Sequence, residues 1–489
     1  MEDDRLSRHV RHDSKGKGHA RRILPLRISE APRDVSRDRS CAEYGFASTP
    51  YHVGPAWRRN NPHYQLRRRR CGQPARRCRD NVAASGDVID LTQISCGLIT
   101  LTTGAIVARQ ASLELRGPGP ERLQISGNST QWVLDHEGTG RLTVTGLLIS
   151  DGLNEQDYKA YGGCVYSAAF LTLERSEVQH CVAHATSAHN IPIASGGGAF
   201  AQRGLDLIDT SMLDNSVIGG DVMYPIAEGG AIGSNGPMSI VRSYIARNYS
   251  SNLGGGIAGW GLVMIGTLVT ENDAPYVGGV TAFGDITIDR SAIVNNTSSM
   301  YGGLVVGTDN YTHASVRNTT ISGNSGALAS GVTADRGNVA ISNCTIAFNT
   351  TDDARGAVGL YNRGASVDLE SSIVADNTWL VSDGSRFDED ISGADTIVGS
   401  SNLVIFSEIP LPEDTRFEDP LLEPLGYNGG PTPTHGLSLT SPAIDAGNNS
   451  TGAQFDQRGI GYTRVVGGSA DIGAFELNVD EILADGFDD

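Results

Sequence analysis

The stretch Pro275–Asn296 reads PYVGGVTAFGDITIDRSAIVNN, and its second half, ITIDRSAIVNN from Ile286, decides the fold because it recurs. Seven further segments lie under it. They are LTLERSEVQHC from Leu171, LDLIDTSMLDN from Leu205, MSIVRSYIARN from Met238, LVMIGTLVTEN from Leu262, ASVRNTTISGN from Ala314, VAISNCTIAFN from Val339 and VDLESSIVADN from Val367. Each is apolar at positions 1, 3 and 8, with Ala314 the small exception. All but the first end in asparagine: Asn215, Asn248, Asn272, Asn296, Asn324, Asn349 and Asn377. A glycine turn such as YGGCV, GGAI or GGL stands upstream of each segment. Alternation with period two means short strands with one buried face, and a fixed period in the twenties means a solenoid.

The expected fold is therefore all-β, a right-handed parallel β-helix of roughly 25 residues per coil with capped ends. Successive coils should stack ~4.8 Å apart, so equivalent residues fall above one another. The asparagines are expected to form a structural ladder, each taking the left-handed turn conformation itself and bonding to the next amide. In the opening phrase Gly278-Gly279 is then a turn, and Ile286 and Ile288 point inward. Asp289 faces Arg317 on the next coil as a surface ion pair worth about 0–1 kcal/mol. Asp285 is left without a structural job.

Composition agrees with strands and tight turns: 61 glycines stand against 19 prolines, and aromatics are only 6%. No run of 18 apolar residues exists, so no membrane-spanning helix is predicted. The net charge of −18 is unevenly divided. Residues 1–80 carry 20 Lys+Arg against 9 Asp+Glu, whereas the remainder carries 18 against 47. Residues 1–78, which include the run RRRRCGQPARRC from Arg67, form a basic head without strand or helix periodicity. It is read as disordered, or as translation from a wrong frame or start. No aromatic-interleaved fold accompanies its charge, so nucleic acid is not an expected partner. No signal peptide is visible after Met1.

Residues 79–122 are expected to hold an N-terminal cap and the first coils, with RDNVAASGDVIDL (Arg79–Leu91) starting as a short helix stopped by Gly86. The parallel β-helix then occupies 123–377. A C-terminal region at 378–477 loses the repeat and covers the far end, and 478–489 is an acidic tail. Among seven cysteines, Cys164 and Cys181 are the disulfide candidate between neighbouring layers, with buried free thiols the alternative; Cys96 is the candidate partner of Cys78. Oxidised pairs would place the chain outside the cytoplasm. No zinc-ligand spacing occurs, so no metal site is expected.

Two features carry a family resemblance. The repeats resemble those of the pectin-lyase-like superfamily of right-handed parallel β-helices, including polymorphic outer-membrane-protein-type repeats. The block DPLLEPLGYNGGPTPTHGLSLTSPAIDAGN (Asp419–Asn448), with FDQRG (Phe455–Gly459) and ADIGAFE (Ala470–Glu476), resembles the choice-of-anchor Q domain of secreted bacterial β-helix proteins. The resemblance covers residues from about 79 onward and implies an extracellular or cell-surface location. Members begin with a signal peptide, and this chain departs from them there.

Because such folds include lyases and hydrolases, chemistry must be argued from residues. The polygalacturonase pattern needs paired aspartates, Gly-His-Gly and Arg-x-Lys on one face. Here TDD (Thr351–Asp353) and THG (Thr434–Gly436) echo fragments, and Lys159 is the last lysine in the chain. WVLDH (Trp132–His136) resembles the WIDH signature of pectate lyases, but it leads into an ordinary coil and is read as structural. A glycosidase needs two carboxylates about 5–9 Å apart, for which Asp285, Asp289, Asp309, Asp352 and Asp353 are the candidates. An acidic body repels polyuronates unless calcium bridges the two. The Asp/Asn/Gly-rich turns offer calcium at most a weak site, and no other cofactor is expected. His180, His184 and His189 belong to a solvated insertion. Tyr249, Tyr276 and Tyr301 recur near the glycine turns, either as a sugar-stacking strip or as an edge cover.

The expected function is non-catalytic: an adhesin-like, glycan-binding or structural surface module whose partner is a polysaccharide or a cell-surface component. The alternative is a secreted polysaccharide lyase or glycoside hydrolase using stacked carboxylates. Oligomeric state is left open.

Overall fold

In a computed structural model of the chain, the described residues are 81–187, 191–220, 226–307, 310–352, 358–380 and 384–478, with the backbone of three short strands at Ile23–Pro25, Tyr64–Gln65 and Arg67–Arg68. The rest of the basic head and the acidic tail lie outside them, as does Cys78. The chain is a parallel β-solenoid of about 11 turns with about 28 residues per turn. The spacing exceeds 25 because early coils are long: ladder positions lie 34 and 33 residues apart at first and 24 apart later. The surplus builds a small fourth sheet from Lys159–Tyr161, Ile193–Ser195 and Ile226–Glu228. No helix occurs among the described residues. Val88–Asp90 is the strand expected after the turn at Gly86 (φ 87°), whereas Asn81–Val82 is a strand in place of the expected short helix stopped by Gly86.

A typical turn runs through four short strands. Taking one as the pattern, Val332–Ala334 and Asn338–Ser342 belong to the large sheet and meet at a corner, Thr345–Ala347 to a second sheet, and Thr350–Thr351 to a third. Template positions 1, 3 and 8 enter one continuous core; Val178, Met212, Ile245, Val269, Ile293, Ile321 and Ile346 are each 0% exposed.

The asparagines do stack. Asn215 Nδ2 donates to Asn248 Oδ1 (3.0 Å), and the same bond repeats from Asn248 to Asn272, to Asn296, to Asn324, to Asn349 and to Asn377. The last rung is Asp390, whose Oδ1 accepts from Asn377 Nδ2 at 2.9 Å. The left-handed conformation, however, belongs to the residue before each asparagine: Asp214, Arg247, Glu271, Asn295, Phe348 and Asp376 have φ of 53–56°. A second ladder of hydroxyls stands five residues earlier. Thr210 N donates to Ser243 Oγ, Ser243 N to Thr267, Thr267 N to Ser291 and Ser291 N to Thr319. The free thiol Cys344 occupies one rung, and burial pushes its pKa up to about 12. Cys164 and Cys181 form a disulfide at the start of the asparagine ladder, where Cys181 N donates to Asn215 Oδ1.

The repeat continues beyond Asn377 through Ile391–Gly393, Ile397–Ser400 and Leu403–Val404. Ile409 and Leu411 pack on the core at that end. Beyond these residues the C-terminal region turns back along the outside of the second sheet. Gly473 N donates to Ser371 O, Ala474 N to Thr345 Oγ1, His435 bonds Ser322 (2.9 Å), Thr320 donates to Gln457, and Thr432 reaches Arg290 O. Other outward positions there are apolar: Leu268, Ala292 and Val294 meet Leu425, while Ile373 and Ala375 join Leu437, Ile472 and Phe475. The layer is locked by buried ion pairs, Arg458–Asp456 at 2.7 Å and Arg464–Glu476 at 3.0 Å. The FDQRG and ADIGAFE motifs are thus a fastener.

Candidate functional site

The middle residue of each turn's first strand points away from the core, and these residues form a row from Asp135 through Tyr166, Phe200, Gly233, Ala258 and Thr281. Although they face outward, Phe200, Ala258, Thr281 and Thr333 are each 1% exposed. A wall covers them, so the row is the floor of a trough that neighbouring side chains close to water. The wall is the residue just before each glycine pair: Tyr161, Ser195, Glu228 and Leu253 stand in register. In the early coils glycine makes the turn between wall and floor. At Gly229 φ is 71°, and a Cβ on Gly230 would meet Gly255 O at 2.1 Å.

One end of the trough is aromatic. Tyr161 stacks on Phe200 at 4.5 Å, Tyr166 is 6.3 Å from Phe200, and Trp132 is 6.2 Å from Tyr166. At the other end Arg363 crosses the floor. Its Nη1 donates to the Tyr301 hydroxyl (3.0 Å) and lies 3.4 Å from Asp335. Between them the floor is small, with Gly233, Ala258, Thr281 and Val305 buried over four coils. Glu228 overlooks this stretch, and burial raises its carboxyl above the ordinary carboxylate range. Burial likewise raises the Tyr161 and Tyr166 phenols. His136, beside Asp135, points inward: its ring bonds Ser167 and Gln110 O, and burial lowers its pKa.

The carboxylates singled out from the sequence are not brought together. Asp289 is not on the surface but 5% exposed, held by Arg317 (3.3 Å), Arg290 (3.2 Å) and the Asn318 amide (3.3 Å). Two guanidiniums beside one carboxylate fit a structural ion cluster, not a reacting group. Asp285 is exposed and stands 3.6 Å from His313. Asp352 lies on an exposed bend; Asp309 and Asp353 fall outside the described residues, as does His189. His180 is a left-handed turn residue (φ 53°), and His184 lies 3.2 Å from Glu155. Tyr276 and Tyr301 are neighbours on adjacent coils, but Tyr249 opens a third-sheet strand opposite Asp273 and does not join them. No three His, Cys, Asp or Glu side chains gather in a metal-holding arrangement among the described residues.

The trough residues Glu228, Tyr161 and Asp135 were missed in the sequence, although a signal was present. Glycine pairs read one residue upstream give Tyr161, Ser195, Glu228 and Leu253 directly. A second cleft, of about 730 Å³, lies under Gly117–Glu121. Its charges pair with one another, Arg116 with Glu114 and Arg175 with Glu174.

No protein-family profile and no curated protein matches the chain. Among solved structures it is similar to the crystal structure of pectate lyase Pel9A, at 14% identity and a TM-score of 0.41, covering 81% of this chain and 89% of that one. The activity in that description belongs to that protein.

Proposed function

We propose that the chain is an exported, surface-associated or secreted β-helix protein that binds a glycan in the trough without cleaving it. The observation that carries this is the aromatic cluster of half-buried Trp132, Tyr166 and Tyr161, with Phe200 buried beneath them, at the head of the trough. Aromatic edges and faces pack on the C–H faces of sugar rings, and neighbouring polar groups fix orientation. With Glu137 paired to Arg109, Asp135 and Glu228 are the carboxyl groups at the aromatic end, which favours a neutral glycan over a polyuronate. The Asp419–Asn448, Phe455–Gly459 and Ala470–Glu476 motifs support a choice-of-anchor Q affiliation, and with it export and a cell-surface role. The Cys164–Cys181 disulfide fits an oxidising compartment.

One observation favours a hydrolase as the second reading. Glu228 titrates above the ordinary range, as a general acid does, but Asp135 lies three coils away along the row, ~14 Å and beyond the reach of a carboxylate pair. Tyr166→Ala and Glu228→Gln separate the two on a neutral polysaccharide panel. Binding that Tyr166→Ala weakens tenfold, with no new chain ends from the unmodified protein, supports the binder. Chain ends that appear with the unmodified protein and vanish in Glu228→Gln establish the hydrolase.

A further inference from the structure

In most turns the two strands of the large sheet are separated by a corner, Gln202–Arg203 and Asn235–Pro237 among them. In two consecutive turns the corner is straightened into one continuous strand, Ile257–Ile265 and Val280–Asp289. These turns are also short, with ladder spacings of 24 residues. The register breaks between Trp260 and Leu262, with Gly261 (φ 63°) and Gly284 (φ 73°) left-handed at matching places. Such a bulge re-aims the neighbouring side chain.

Here the re-aimed side chain is Trp260, which is 54% exposed. Its ring lies on Gly284, where a Cβ would stand 3.6 Å away, and against Phe283 at 5.5 Å. The inner face of the indole is therefore covered and its outer face meets water. A single exposed aromatic is ordinary on a protein surface. Two successive coils that give up their corner to lay one ring flat are not. Polar side chains flank the notch. Asn235, whose amide donates to Gln202, is on one side; Asp285 and His313, both exposed, are on the other. Trp260 and Phe283 stand two residues beyond the floor residues Ala258 and Thr281, on the same strand face, so the notch opens on the rim of the trough.

We propose that Trp260 and Phe283 form a saccharide-stacking subsite of the trough, with Asp285, His313 and Asn235 as the polar arms that hold ring hydroxyls of a neutral glycan. The subsite rests on the trough's being the glycan site, and it places the ligand's contact midway along the channel, about three coils from Tyr166.

The test is calorimetry and tryptophan fluorescence of the full chain titrated with neutral hexasaccharides of β-1,4-glucose, β-1,4-N-acetylglucosamine and mannose. At least one hexamer should bind and perturb indole emission. Trp260→Ala should weaken it tenfold or more with an unchanged melting temperature, Trp260→Phe should restore most of the loss, and His313→Ala should weaken it severalfold. Binding that Tyr166→Ala abolishes and Trp260→Ala leaves intact overturns the subsite while keeping the trough. Loss in Trp260→Ala with Tyr166→Ala unaffected moves the site to the rim. Failure of every hexamer to bind overturns both.

Discussion

A residue with a Cβ held in the left-handed region costs roughly 1–2 kcal/mol, and the solenoid accepts that cost in each turn beside the second sheet. Glu271, at φ 56° and exposed, is such a position. Glu271→Gly should stabilise the fold by about 0.5–1 kcal/mol in urea denaturation, and a loss of stability would show that the side chain, not the backbone, governs the site. The adjacent ladder behaves oppositely. Asn296 Nδ2 donates to Val269 O, Val294 O and Asn324 Oδ1, and its Oδ1 accepts from Asn272. Asn296→Ala strands several fully buried groups and should cost about 3 kcal/mol; a change under 1 kcal/mol would mean that the ladder is ornamental. Both corner positions are legible in the eight aligned segments, since position 6 is Ser, Thr or Cys and position 11 is Asn in all but the first. The conformation expected of the asparagines is wrong because Asn is the residue most associated with positive φ. In this turn its side chain is needed for bonding and its neighbour takes the strain.

The C-terminal layer is the element whose placement the sequence conceals. Its contacts cross more than 100 residues, as from Thr320 to Gln457, and no local pattern encodes which face it covers. The covered face is nevertheless marked. Outward positions of the second sheet change from Glu177 and Gln179 in an early coil to Ala292 and Val294, and Ile373 and Ala375, in later ones. The Arg317 pair expected for Asp289 forms, at 3.3 Å, but not at the surface, because its shielding depends on tertiary packing and not on the strand's own alternation. Arg464 is fully buried and donates to Gly473 O, Asp471 O and Glu476. Arg464→Ala leaves Glu476 unpaired and should cost about 3–5 kcal/mol. Hydrogen exchange should then show the 419–478 layer opening while the ladder amides stay protected; unchanged protection in the layer would contradict the fastener. The far end carries a pH signature. Burial outweighs three N–H bonds to Asp390 and pushes its carboxyl up to about 7, against about 4 when unfolded. The folded state therefore binds the proton more tightly, and Asp390's contribution is lost as pH rises from about 4 to about 7. Asp390→Asn should flatten the fall in stability over that window, and an identical slope in variant and parent would refute the assignment.

For the whole molecule, hydrophobic periodicity is sufficient for the solenoid, because a buried strand face every turn leaves few other ways to stack. It is not sufficient for the trough. Asp135, Phe200 and Thr281 face outward on strands whose alternation looks ordinary. Only the stacking of glycine pairs across coils raises a wall beside them. The trough joins Trp132 and Asp135, inside a motif that reads as structural, to Glu228, which no motif contains. The central claim is that this channel holds a neutral glycan and leaves it whole. The most direct measurement is incubation of the full chain with a panel of neutral polysaccharides, scoring retention and newly formed chain ends in the same samples. Retention of at least one polysaccharide, lost in Tyr166→Ala, with no new ends, is the result predicted. New reducing or unsaturated ends that disappear in Glu228→Gln, or no retention at all, would contradict it.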